Sequence, residues 1–207
     1  MADADVALTT ALAGLSPPGV LAGHRVIAPR DGDALFPSER VAFQRSVSKV
    51  IRQSGAARIV ARGLLGSLGY TDIAIPRSET GAPVWPSGVI GSLAHDEDVA
   101  VAAIARVGRF SGLGIDVEPA VPLPPGLSSL IATPAERRCY PPEIIGSRIL
   151  FSIKESVYKA LNPLDGIFLD FQDVEVDLSA HRAVTRSGRT IRFAFTTAPR
   201  VLAIAFA

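Results

Sequence analysis

A strand and a helix constrain the fold of this chain more than any other feature. The run L-G-I-D-V-E at Leu113–Glu118, read as extended, sends Ile115 and Val117 to one face and Asp116 and Glu118 to the other. At ~3.3 Å per residue the two carboxylates lie about 7 Å apart along the backbone. Residues 147–161 repeat apolar side chains at helical spacing (Leu150, Ile153, Val157, Leu161), with Glu155 and Lys159 on the opposite flank and Lys154 beside the apolar stripe.

The other segments extend that reading. Residues 1–37 suggest loops and an edge strand, and Ser38 a helix running to Gln53. A second helical run from Arg58 ends near Gly69, and residues 74–88 form an ordered loop around Trp85. Two strands then flank the acidic turn Asp96-Glu97-Asp98, and L-G-I-D-V follows. Beyond a proline-rich connector at 119–126, a short helix at 134–140 precedes the long one, which Asn162-Pro163 should stop. The last forty residues alternate as strands, clearest over Thr190–Thr196 and Val201–Phe206. This order predicts an α+β protein of two similar halves, residues 1–118 and 119–207, with a cleft between them.

Composition narrows the classes. A net charge of +1 argues against general nucleic-acid binding. No apolar run approaches the ~18 residues of a membrane span, and M-A-D-A-D lacks the basic-then-apolar pattern of a signal peptide. The expectation is a cytoplasmic protein with no membrane partner. Cys139, the only cysteine, permits no internal disulfide and no cysteine metal cluster.

The candidate chemistry rests on charged residues, each with two readings. Asp116 and Glu118 repel on one strand face unless a cation lies between them, and Mg²⁺ takes such hard oxygen ligands; a solvated outer face is the alternative. Only three lysines occur against 18 arginines, and two of them, Lys154 and Lys159, flank Glu155. That suggests compact ammoniums placed for phosphate; a surface ion pair is the alternative. His95 ends the strand G-S-L-A-H, and its acidic neighbours should favour the protonated form. Arg58 and Arg62 share a helix face, and Arg77 lies in the loop before Trp85; each could meet an anion or water.

Taken together, G-S-L-A-H, G-I-D-V-E and F-S-I-K-E-S-V-Y-K, in this order, resemble the 4'-phosphopantetheinyl transferases. F-P-S-E-R at 36–40 joins the match, and W-P-x-G at Trp85–Gly88 resembles the subgroup typified by the enterobactin-synthase enzyme. The resemblance implies two pseudo-symmetric α+β halves with coenzyme A between them. It implies Mg²⁺-dependent transfer of phosphopantetheine from coenzyme A to a serine of an acyl or peptidyl carrier protein, releasing 3',5'-ADP. It would place Asp116, Glu118 and Glu155 on the metal, His95, Lys159 and Lys154 on phosphates, and Arg58, Arg77 and Arg62 on the coenzyme. Glu155, or a metal-bound water that it orients, would take the serine proton.

A monomer is expected, since internal pseudo-symmetry removes the need to dimerise. Carriers of fatty-acid, polyketide, peptide-synthetase and siderophore pathways fit alike. Two departures stand out. Val50-Ile51 and Gln53-Ser54 replace the basic pair and the Glu-Phe pair usual in the subgroup, and Asp98 replaces a frequent glycine. An acid there should weaken coenzyme binding or redirect the loop. The alternative function is a non-catalytic coenzyme-binding or carrier-docking module.

Overall fold

A computed structural model describes residues 2–124, 126–140 and 146–207. Helices are α1 (Ala2–Leu15), α2 (Pro37–Arg40), α3 (Ser48–Ser67), α4 (Ser128–Ile131), α5 (Pro134–Cys139) and α6 (Gly146–Asp165). Strands are β1 (Val20–Val26), β2 (Val89–His95), β3 (Val99–Arg106), β4 (Leu113–Glu118), β5 (Val174–Asp177), β6 (Arg182–Thr185), β7 (Thr190–Thr196) and β8 (Val201–Phe206). They form an antiparallel sheet ordered β1-β3-β2 and a second ordered β4-β8-β7-β6-β5. This is the expected α+β class.

Alternation explains the layering. In β3, Ala102 and Ile104 meet Val60, Ala61 and Leu65 of α3, while Val101, Ala103 and Ala105 face Ile115, Leu202 and Ile204 of the second sheet. In β8, Val201, Ala203 and Ala205 turn the other way, onto Leu150, Ile153, Val157 and Leu161 of α6. Both strands are buried on two faces, so both read as nearly continuous apolar runs. The sheets share one core, and each carries a long helix on its outer face.

Several boundaries differ from expectation. Residues 2–15 form a helix, not a loop, because Leu8 and Leu12 are buried against the shared core. The helix expected from Ser38 breaks at Val47, which is extended, and α3 runs unbroken through the gap left between the two expected helices. Gly55 is no breaker there: an added Cβ would overlap the Asp31 carbonyl, so glycine permits contact with the 3₁₀ turn Asp31–Ala34. The helix α6 continues to Asp165 past Pro163, which sits in its last turn and leaves only the Lys159 carbonyl without its usual donor. The expected division at 118/119 groups β4 with the first half, whereas its ladder runs to β8, Asp116 pairing with Ala203.

Candidate functional site

The strand β4 and the helix α6 touch through their backbones. A Cβ on Gly114 would overlap the Ser156 carbonyl, and one on Gly112 the Ala160 carbonyl. These glycines let the helix lie directly on the strand, which sets Glu155 and Lys159 beside Asp116. The edge strands β2 and β4 pack together where the sheets meet. Above that seam opens a cleft of roughly 490 Å³, lined by His95, Asp116, Glu118, Glu155, Lys159, Arg58 and Arg77, among others.

The carboxylates share the cleft but are differently engaged. Asp116 is buried; Oδ1 accepts from Lys159 Nζ at 2.6 Å, while Oδ2 has no hydrogen-bond partner. Glu118 accepts from Arg148 at 2.5 Å, and Arg148 also donates to the carbonyls of Val121 and Pro122. Among the described residues, no three His, Cys, Asp or Glu side chains are already closed around one point. The expected convergence of Asp116, Glu118 and Glu155 is therefore not preformed, because Lys159 and Arg148 occupy two of the three. Burial raises the pKa of Glu118 first and Asp116 raises it further, against the pull of Arg148. Burial likewise raises Glu155, Asp116 adding and Lys159 opposing. An orphaned buried carboxylate oxygen flanked by two acids of raised pKa is a donor set that fits a hard cation.

His95 stands at the rim, but the expectation that its neighbours keep it protonated is not met. Crowding of the imidazole by protein lowers its pKa, Lys159 lowers it further, and the Asp96 backbone with the carboxylates of Asp116 and Asp96 only partly compensates. The adjacent acids are already paired, Asp96 and Asp98 with Arg200 and Glu97 with Lys49.

The arginines divide. Arg58 is buried, with Nε donating to the Ile75 carbonyl at 2.8 Å, and burial brings its pKa down to about 10 despite Glu39, with Arg77 and Arg62 adding to the fall. The guanidiniums of Arg58 and Arg77 each lie 5.3 Å from the Phe43 ring centroid, so an aromatic side chain spaces two cations at the cleft wall. Arg62 does not line the cleft. It binds Glu39 at 2.9 Å and the Ala34 carbonyl at 2.6 Å and stacks on Phe36, which corrects its assignment to the coenzyme.

Lys154 is a second correction. It lies outside the cleft, buried, and all three ammonium protons are used, on Glu136 at 2.7 Å, the Ile131 carbonyl at 2.8 Å and the Phe171 carbonyl at 2.9 Å. Burial lowers its pKa, against Glu136. Sequence reasoning missed that partner and its counterpart Glu39. Both acids stand in a P-x-E-R run, at 37–40 and 134–137, at the start of a short helix. Both are buried and bind a cation of the long helix in their half, and each accepts a later backbone N–H, from Ile75 and Val176 respectively, at 2.7 Å. That repeated tetrapeptide was the available signal. Nothing in the sequence marked Phe43.

Known proteins match the chain in two parts. The family model of the 4'-phosphopantetheinyl transferase N-terminal domain matches residues 38–105, and that of the 4'-phosphopantetheinyl transferase superfamily matches residues 112–205. The 4'-phosphopantetheinyl transferase Svp of Streptomyces mobaraensis is 40% identical over 148 residues, covering 69% of this chain and 60% of that protein. The chain thus spans less than two thirds of that relative's length. The 4'-phosphopantetheinyl transferase Npt of Nocardia iowensis is 36% identical over 175 residues, 83% of this chain and 78% of that protein. Enterobactin synthase component D of Escherichia coli K12 is 35% identical over 148 residues, covering 68% and 69%.

Proposed function

We propose that this chain, which belongs to the 4'-phosphopantetheinyl transferase superfamily, transfers the phosphopantetheine arm of coenzyme A to a serine hydroxyl of an apo acyl or peptidyl carrier protein. One observation carries the reading: the carboxylates of β4 and α6 line a single cleft together with Lys159, His95, Arg58 and Arg77. A diphosphate needs cations on its oxygens, and an attacking hydroxyl needs a base.

Lys159 and His95 bind phosphate oxygens at the seam, and Arg58 and Arg77, spaced by Phe43, hold the coenzyme's nucleotide phosphates. Asp116, Glu118 and Glu155 would hold Mg²⁺, which when bound supplies charge neutralisation to the diphosphate and its leaving phosphate. The raised pKa of Glu155 suits a base, and it accepts the serine proton, directly or through a water it orients. The serine oxygen bonds to the phosphorus bearing pantetheine, the diphosphate P–O bond breaks, and 3',5'-ADP leaves. Glu118, which Arg148 now holds, would have to leave that pair to join Asp116 and Glu155 as a ligand. One chain supplies the whole cleft, which supports action as a monomer. No helix of the described residues is long and apolar enough to cross a membrane.

A non-catalytic coenzyme-binding module would have no use for a half-buried carboxylate of raised pKa beside Lys159. Purified protein incubated with coenzyme A, Mg²⁺ and a panel of apo carriers tests the reading. The carrier should gain one phosphopantetheine arm by mass while 3',5'-ADP is released; coenzyme binding without a mass gain on any carrier would favour the binding module.

A further inference from the structure

The turn that follows His95 is held from both sides, and the stronger hold comes from the other sheet. Arg200 immediately precedes β8. Its Nη1 donates to Asp96 Oδ2 at 2.6 Å and its Nη2 to Asp98 Oδ2 at 2.9 Å. Asp96 is buried, and its second oxygen, Oδ1, accepts the backbone N–H groups of Asp98 and Val99, each at 2.8 Å. From α3, Gln53 donates to the Asp96 carbonyl at 2.9 Å, and Lys49 binds Glu97 at 2.5 Å. The Lys49 pair is exposed on both members, so water screens it; the Asp96 pair is not.

Position gives this clasp its consequence. Val201, the neighbour of Arg200, pairs with Glu118 at the end of β4. Arg200 thus ties the end of the strand bearing Asp116 and Glu118 to the turn that follows His95, across the seam where β2 and β4 meet without a shared ladder. Asp98, the acid expected to weaken coenzyme binding or redirect the loop, is one jaw of this clasp, its charge answered by Arg200.

We propose that Arg200 is a positioning residue: by gripping Asp96 and Asp98 it fixes His95 relative to the carboxylates of β4, and so sets the phosphate-binding geometry of the cleft. This rests on the transferase reading above. Without the clasp the β2–β3 turn keeps only its hold from α3 and its own backbone bonds and loses its tie to the second sheet, and a phosphate ligand displaced by a fraction of an ångström loses contact.

The test is steady-state transfer kinetics of wild type, Arg200→Gln, Arg200→Lys and Asp98→Asn, with coenzyme A varied. Arg200→Gln should raise KM for coenzyme A ten- to a hundredfold, roughly the scale of a misplaced binding group, with a smaller change in kcat. Arg200→Lys should recover part of the loss, since a single ammonium cannot span two carboxylates as a fork does. Asp98→Asn removes the charge from one contact and leaves the Asp96 pair; it should show a smaller rise and serves if Arg200→Gln does not fold. The His95 imidazole ¹⁵N resonances, followed as 3',5'-ADP is added, should shift in wild type and respond weakly in Arg200→Gln. Variants that melt earlier yet keep wild-type KM and the wild-type His95 response would overturn the proposal and leave a purely structural clasp. Wild type that transfers nothing would instead sink the transferase reading.

Discussion

The ammonium of Lys159 and the carboxylate of Asp116 meet where α6 crosses β4, Nζ to Oδ1 at 2.6 Å, while Asp116 Oδ2 stays buried without a partner. One residue therefore offers a neutralised oxygen and an unmet one. A cation or a water must satisfy the second, because an unpaired buried acceptor costs roughly 1–3 kcal/mol.

Asp116→Asn keeps the volume but removes the charge. It should lower transfer on the order of 10²- to 10³-fold, as loss of a preorganised electrostatic group does elsewhere. Calorimetric Mg²⁺ binding in the presence of coenzyme should weaken in parallel. Lys159, partly exposed, can turn to water, so the melting temperature should move little. Near-wild-type transfer would remove Asp116 from the metal site.

Lys154 is expected to act on stability. Lys154→Met strands the buried Glu136 carboxylate, and breaking a buried pair typically costs about 3–5 kcal/mol. Urea unfolding should show that loss, while transfer per folded molecule stays close to wild type. A normal unfolding midpoint with abolished transfer would return Lys154 to the chemistry.

Gly114→Ala tests the contact that builds the site. Its Cβ would overlap the Ser156 carbonyl, a backbone atom that cannot rotate away. We expect a loss of about 3 kcal/mol or more, seen in thermal melts, with transfer falling as α6 is pushed off β4. An unchanged melting temperature would contradict the close packing.

One acid-side change follows from Asp31. Burial alone would raise its pKa, but hydrogen bonds from Arg25 and the Ala28 N–H outweigh burial and hold it below the ordinary 3.8. The folded state then binds fewer protons than the unfolded state, so this stabilisation is complete above that value and drains as pH falls through it. Unfolding midpoints measured from about pH 6 down to pH 2 should fall less steeply for Asp31→Asn than for wild type. Parallel slopes would show that Asp31 is not part of the acid limb.

What the sequence disclosed depended on periodicity and chain order. Alternation in L-G-I-D-V-E placed Asp116 and Glu118 on one face correctly, and the helical stripe placed Glu155 and Lys159 together. What it concealed was long-range pairing. Nothing local to Lys154 shows that Glu136 waits across the core, or that Arg62 is committed to Glu39. Likewise Asp96 and Asp98 looked like a local influence on His95 until Arg200, distant in sequence, took their charge. Nor does the sequence show that Gly112 and Gly114 let the strand touch the backbone of α6, or that Gly55 lets α3 touch the Asp31 carbonyl.

The most direct measurement is anomalous scattering from Mn²⁺ in crystals grown with coenzyme A. The account predicts one manganese peak in the cleft, bonded to Asp116 and shared by Glu118, Glu155 and the diphosphate, with Arg148 withdrawn from Glu118. A diphosphate bound in the cleft at saturating Mn²⁺ with no peak at Asp116, or with Arg148 still on Glu118 and the metal elsewhere, would contradict it.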